Sequence, residues 1–260
     1  MKKQMSRLLE VFMAKAAPAV ILCLGLGGLL SACDDDGLSE GNPNYFTSSR
    51  GQFTATLEDG TKLYLLPGSA TGTATLTFDG STREVNATQT AVNVSTYSGE
   101  LMLPESITAD DGQTYTLTAI GEQALMGCRT LTSVVVPATV QTMGNGAFAI
   151  CQELLTATLP EGIAEIPFGC FGNCKKLNNL TVPSTVSKIG DMAFYGCNNL
   201  VTYHFLSTTP PVLEGPLFVP EGKEVTIIVP AGAAAAYQAA EGYGNLTIEE
   251  ETNEEDPTDE

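Results

Sequence analysis

The chain has 260 residues, 12 Lys+Arg against 30 Asp+Glu, a formal net charge of −18, one His, seven Cys and no Trp. That length allows one or two domains, and a hydrophobic content of 43% is enough for a core. The charge speaks against nucleic acid as a partner, because neutralising phosphates needs clustered Lys and Arg, and a single His excludes zinc sites built on two or more histidines.

Residues 1–32 read as an address. Lys2, Lys3, Arg7 and Lys15 make a basic start, and Ala16 to Leu30 is an uncharged, mostly apolar run. The run is shorter than the roughly 20 residues a spanning helix needs, but it suits the apolar region of a signal peptide. It ends in Leu30-Ser31-Ala32-Cys33, which resembles the lipobox of bacterial lipoproteins. That resemblance implies cleavage before Cys33 and a lipid on its sulfur, and several acyl chains there would anchor the protein firmly. Asp34, Asp35 and Asp36 follow. An acidic run in this place resembles the export signal that sends lipoproteins of Bacteroides-type bacteria to the cell surface. It also suits a plain solvated linker over 33–50.

Residues 51–98 are expected to form a small β-rich unit, either a separate domain or an N-terminal cap. Gln52–Leu57, Lys62–Leu66, Thr73–Phe78 and Ala91–Val94 have strand character, and Asp59-Gly60 and Asp79-Gly80 mark tight turns.

From residue 99 the chain repeats. Cys128, Cys151, Cys174 and Cys197 are each 23 apart, and Ile120, Met143, Ile166 and Ile189 keep the same step. So do Leu125, Phe148, Phe171 and Phe194, and Leu131, Leu154, Leu177 and Leu200. Pro137, Pro160 and Pro183 complete the frame. A single period in several columns is the mark of a solenoid, in which one coil buries its apolar face only against its neighbours. Before each Pro the residues alternate, as at Asn179-Leu180-Thr181-Val182, giving a short strand with Leu180 and Val182 facing in. The A-F-x-x-C stretch is expected to form a short helical turn.

IGDMAFYGCNNL, residues 189–200, is the cleanest copy of the motif. It closely resembles the leucine-rich repeats of the BspA-like family of bacterial surface proteins. The resemblance implies a repeat solenoid of about five coils over 99–228. Two copies depart from the pattern: Pro167 replaces the turn Gly, and Leu206 replaces a Pro. Residues 229–248 contain VPAGAAAAYQAAEGY, which resembles the family's terminal element. They read as a C-terminal cap with a short helix over 231–241 and a last strand. Residues 249–260 carry eight acids in twelve positions and are expected to be a disordered tail.

No constellation for catalysis, a cofactor or a metal emerges. The Cys ladder has no paired metal spacing, and small buried thiols explain it. His204 stands alone, without the nucleophile and orienting partner that catalysis needs. The repeat acids do not share a column, as paired carboxylates for glycoside cleavage would.

What remains is surface. The outward strand positions form two columns, Ser133, Thr156, Asn179, Thr202 and Val135, Thr158, Thr181, His204. They are the candidate binding face, since solenoids bind along such extended surfaces. Together with the lipobox and the acidic run after it, the family resemblance implies a non-enzymatic lipoprotein at the outer membrane, exposed on the cell surface. It would bind a host or bacterial surface protein or glycan. The alternative is a structural or accessory envelope lipoprotein facing the periplasm.

Overall fold

The computed structural model describes residues 51–77, 84–85, 91–92 and 97–251. The chain divides into two units, Met1–Gln52 and Phe53–Glu260, and only Gly51 and Gln52 of the first are described. The expected signal peptide, Cys33, the 33–50 linker and residues 252–260 lie outside the described residues.

The second unit is built from short strands. Its N-terminal part holds β1 (Phe53–Thr56), β2 (Lys62–Pro67), β3 (Thr73–Leu76), β4 (Glu84–Val85) and β5 (Ala91–Val92). The coils follow, with β6 (Gly99–Met102), β7 (Ser106–Thr108), β8 (Thr114–Ile120), β9 (Leu131–Val135), β10 (Thr142–Met143), β11 (Thr156–Thr158) and β12 (Glu165–Ile166). Next come β13 (Asn179–Val182), β14 (Lys188–Ile189), β15 (Thr202–Phe205), β16 (Val212–Leu213) and β17 (Thr226–Val229). The helix α1 (Ala234–Ala239) and the strand β18 (Thr247–Glu250) close the chain's described part.

Two ladders run along the solenoid. The front ladder consists of β6-β9-β11 and β13-β15-β17-β18, and all its pairs are parallel. The back ladder begins with β1-β2-β3-β8-β10 and continues as β12-β14-β16. β1, β2 and β3 pair antiparallel in sequence, and β3 then lies parallel to β8. The N-terminal strands therefore extend the back ladder, and one continuous apolar cluster runs from Ala55 to Tyr243.

The repeat columns build that core. Phe148 stacks on Phe171 at 5.2 Å and 6°, and Phe171 stacks on Phe194 at 5.9 Å and 11°. The Ile column lines the back ladder, where Ile166 pairs with Ile189 and Ile189 with Leu213. At the C-terminal end Tyr237 and Tyr243 are fully buried against Phe205. Their hydroxyls donate to Ser207 O and Pro211 O, both at 2.9 Å, so the buried rings leave no polar group stranded.

The expected helical turn is not formed. A helix would send each N–H to the carbonyl four residues back. Here Ala149 N–H bonds Gly146 O and Cys151 N–H bonds Phe148 O, whereas Phe148 and Ile150 donate to Cys170 O and Gly172 O of the next coil. Two left-handed residues per coil cause this. One column is Gln123, Gly146, Gly169, Met192 and the other is Gly127, Ile150, Asn173, Gly196, and all eight have positive φ. The segment is a run of turns stitched to the following coil.

The acidic tail also begins later than the composition suggests. Glu249 and Glu250 belong to β18, which pairs with β17, and Glu251 N–H still bonds Val229 O.

Candidate functional site

The front ladder fixes the expected columns by register. Ser133 lies beside Thr156 and Val135 beside Thr158. Asn179 lies beside Thr202, and Thr181 beside His204. The two halves meet between β11 and β13, where Asn178 N–H reaches Leu155 O at 3.4 Å. Alternation turns Val134, Ala157, Leu180 and Tyr203 into the core. Thr156, Thr158, Asn179 and Thr181 are exposed, and Ser133, Thr202 and His204 are half-buried.

Both columns run further than their sequence period shows. Upstream, Glu100 and Met102 stand beside Ser133 and Val135, and Met102 is 71% exposed. Downstream, Thr226 and Thr247 continue one column, and Ile228 and Glu249 the other. The ten residues inserted after Ile107, one residue inserted before Thr226 and a final step of only 21 residues to Thr247 take these positions out of the 23-residue frame. The signal that finds them is the strand alternation itself.

His204 is the one titratable residue among the eight expected positions. Its Nε2 is paired with the Glu251 carboxylate, which reaches it from the far side of β17. The pair occupies the imidazole in holding the final strand. Between it and Glu100 the columns carry no charge, an unusual stretch for a chain at −18.

The thiols sit elsewhere. Cys128, Cys151, Cys170, Cys174 and Cys197 are buried and not joined in disulfides. Cys151, Cys174 and Cys197 donate to the carbonyls of Leu125, Phe148 and Phe171 in the preceding coil, each at 3.1 Å. Burial pushes these thiols upward in pKa, so they stay protonated and are poor nucleophiles. Among the described residues no group of three His, Cys, Asp or Glu side chains is placed to hold a metal ion.

The comparisons with known proteins agree with this architecture. Residues 105–212 match the model of the BspA type leucine-rich repeat region in six copies. A leucine-rich repeat protein from Bacteroides capillosus is 31% identical, with 58% of this chain and 97% of that one covered at a TM-score of 0.44. The chain belongs to the BspA-type leucine-rich repeat family. The six copies compare with the about five coils expected from the sequence period.

Other solved structures are similar to this BspA-type protein. The T. pallidum Leucine Rich Repeat protein is 20% identical, over 75% of this chain and 78% of that one, with a TM-score of 0.48. A leucine rich cell surface protein from Faecalibacterium prausnitzii is 17% identical, over 77% and 55%, with a TM-score of 0.37. None of the curated proteins compared matches the chain. Repeats of this family are generally scaffolds for binding rather than for catalysis. No helix among the described residues is long and apolar enough to cross a membrane.

Proposed function

We propose that this protein is a non-enzymatic adhesion module, held at the outer cell surface by a lipid on Cys33. It contacts a protein or glycan through the outward face of its front ladder. One observation carries the reading: two in-register columns present side chains that are uncharged from Ser133 to Thr202, on an otherwise strongly acidic chain. Such a stripe needs no desolvation of charge on contact, and its rungs stay fixed because each strand is held by its neighbours. The Leu30-Ser31-Ala32-Cys33 sequence and the three Asp after it support anchoring and outward display.

The face is tested by capture from host-matrix and bacterial-envelope extracts, using the full chain and a Thr158→Arg/Thr181→Arg variant. Both positions are exposed, so folding should be untouched. The expected result is a partner held by the parent and lost by the variant. Equal capture by both overturns the face. Orientation is read from protease treatment of intact cells: cleavage supports surface display, and protection would favour the periplasm-facing alternative. Cys33→Ser should release the protein from membranes.

A further inference from the structure

The turn run that stitches each coil to the next stops at one place. Gly146, Phe148 and Ile150 donate their N–H groups to the carbonyls of Phe168, Cys170 and Gly172 in the following coil. Gly169, Phe171 and Asn173 do the same to Asp191, Ala193 and Tyr195. One coil later the corresponding donors are Met192, Phe194 and Gly196, and among the described residues no acceptor takes their N–H groups.

The sequence explains the break. The next coil keeps a step of 24 on both sides, with Leu213 beside Ile189 and Thr226 beside Thr202. In that frame the two left-handed positions, Met192 and Gly196, are followed by Pro216 and Pro220. A proline ring locks φ at about −65°, so neither position can turn left-handed and the stitched run cannot form. Phe218 accordingly leaves the ring stack. It meets Tyr195 edge-on at 5.5 Å, and Tyr203 takes the place against Phe194 at 5.3 Å. A cleft of about 380 Å³ opens here, with Met192 and Tyr195 on one wall and the stretch from Pro216 to Val219 on the other. Asp191 is the charged residue in its lining.

The cleft suits one kind of occupant. Its bare backbone edge offers donors only, so a chain laid along it must bring carbonyls at the two-residue spacing that the stitched coils bring. Its walls are apolar, so the side chains beside those carbonyls must be apolar too. Asp191 and the net charge of −18 repel carboxylates. Three donors in a row match a peptide backbone rather than a small apolar molecule.

We propose that this cleft binds a peptide segment of a partner protein. The segment is apolar, free of carboxylates, and laid along Met192, Phe194 and Gly196 so that its carbonyls complete the missing stitch. The site lies on the turn side of the coils and does not depend on the front-ladder face.

The probe is a synthetic peptide of residues 166–177, IPFGCFGNCKKL, carrying Cys170→Ala and Cys174→Ala. Its carbonyls at positions 168, 170 and 172 already serve such a row within the chain, and it holds two Lys and no acid. In the free full-length chain, hydrogen exchange should be at least tenfold faster at Met192, Phe194 and Gly196 than at Gly169, Phe171 and Asn173. Saturating peptide should slow those three amides at least tenfold, and a scrambled peptide should not. Lys175→Glu/Lys176→Glu in the peptide should weaken binding at least threefold at low salt. Val219→Arg in the chain, at a position 44% exposed, brings a charge into the cleft. It should weaken binding at least tenfold with an unchanged thermal midpoint. Equally slow exchange in both coils, no binding of the peptide, equal binding of the scrambled one, tighter binding of the acidic one or an unaffected Val219→Arg variant each overturns the proposal. Slowing that grows with protein concentration alone would name a second copy as the occupant and overturn it as well.

Discussion

Cys174 donates its thiol hydrogen to the carbonyl of Phe148, one coil earlier, at 3.1 Å. The same carbonyl accepts Cys151 N–H at 3.4 Å, so the thiol fills its second lone pair. Cys151 and Cys197 do the same for Leu125 and Phe171. The column is thus a chain of weak coil-to-coil bonds between groups that are also small enough for a tight interior. Cys174→Ala loses one weak donor and a small volume, while the Phe148 carbonyl keeps its backbone partner. The expected cost is about 1 kcal/mol in urea denaturation. A strong reductant should leave the parent's midpoint unchanged, and iodoacetamide should label these thiols only as the protein unfolds. A midpoint lowered by reductant would mean that the sulfurs are bridged.

Phe171 has a larger task, packed between Phe148 and Phe194 with both rings stacked nearly parallel to it. Truncation there removes contacts on two faces, and the coils above and below are too firmly paired to close the gap. Phe171→Ala should cost roughly 3–5 kcal/mol, several times the Cys174→Ala effect. Phe171→Leu should recover more than half. A cost for Phe171→Ala near that of the thiol would show that the stack is dispensable.

The periodic columns made the solenoid, its inward faces and the outward columns legible in the sequence, because burial repeats with the chain. The turn chemistry was not legible in the same way. Left-handed positions hold Gly at Gly146, Gly169, Gly127 and Gly196, but Gln123, Ile150, Asn173 and Met192 elsewhere, so composition hides a geometry that every coil shares. The clasp between His204 and Glu251 was equally hidden, since it joins residues related by stacking rather than by period.

That shared geometry makes its own prediction. Gly169 is buried at φ 59°, a conformation that costs an L-residue roughly 1–2 kcal/mol. Gly169→Ala should lose about that much stability. Gly162→Ala, at φ 113° with nothing within 4 Å of its would-be Cβ, reads the cost of a positive φ where the methyl meets no neighbour. Equal stability of Gly169→Ala and the parent in thermal melts would show that the turn relaxes without cost.

The C-terminal lid is held by a carboxylate. The helix α1 has Ala233 at its N-cap, which offers no side-chain acceptor. Glu250 of β18 supplies one, accepting Ala234 N–H at 3.0 Å. The N–H groups of Gly232 and Ala234 hold its carboxyl below the ordinary glutamate range. A depressed folded-state pKa gives a contribution that is complete above the unfolded value of about 4.3 and is lost as pH falls through the folded one. Hydrogen exchange at Gly232 and Ala234 should therefore quicken on acidification, beyond its intrinsic pH dependence, before the core amides respond. Glu250→Gln should show the faster exchange already at neutral pH and lose the acid step. The lid matters because Tyr237 and Tyr243 seal the apolar end of the stack at Phe205. Deleting 229–260 should expose that end and the edge of what remains of β17, and the protein should aggregate in size-exclusion profiles. Deleting only 252–260 leaves Glu250, Glu251 and both tyrosines in place, and the melt should be unchanged. A monomeric, cooperatively melting chain without 229–260 would show that the solenoid needs no lid.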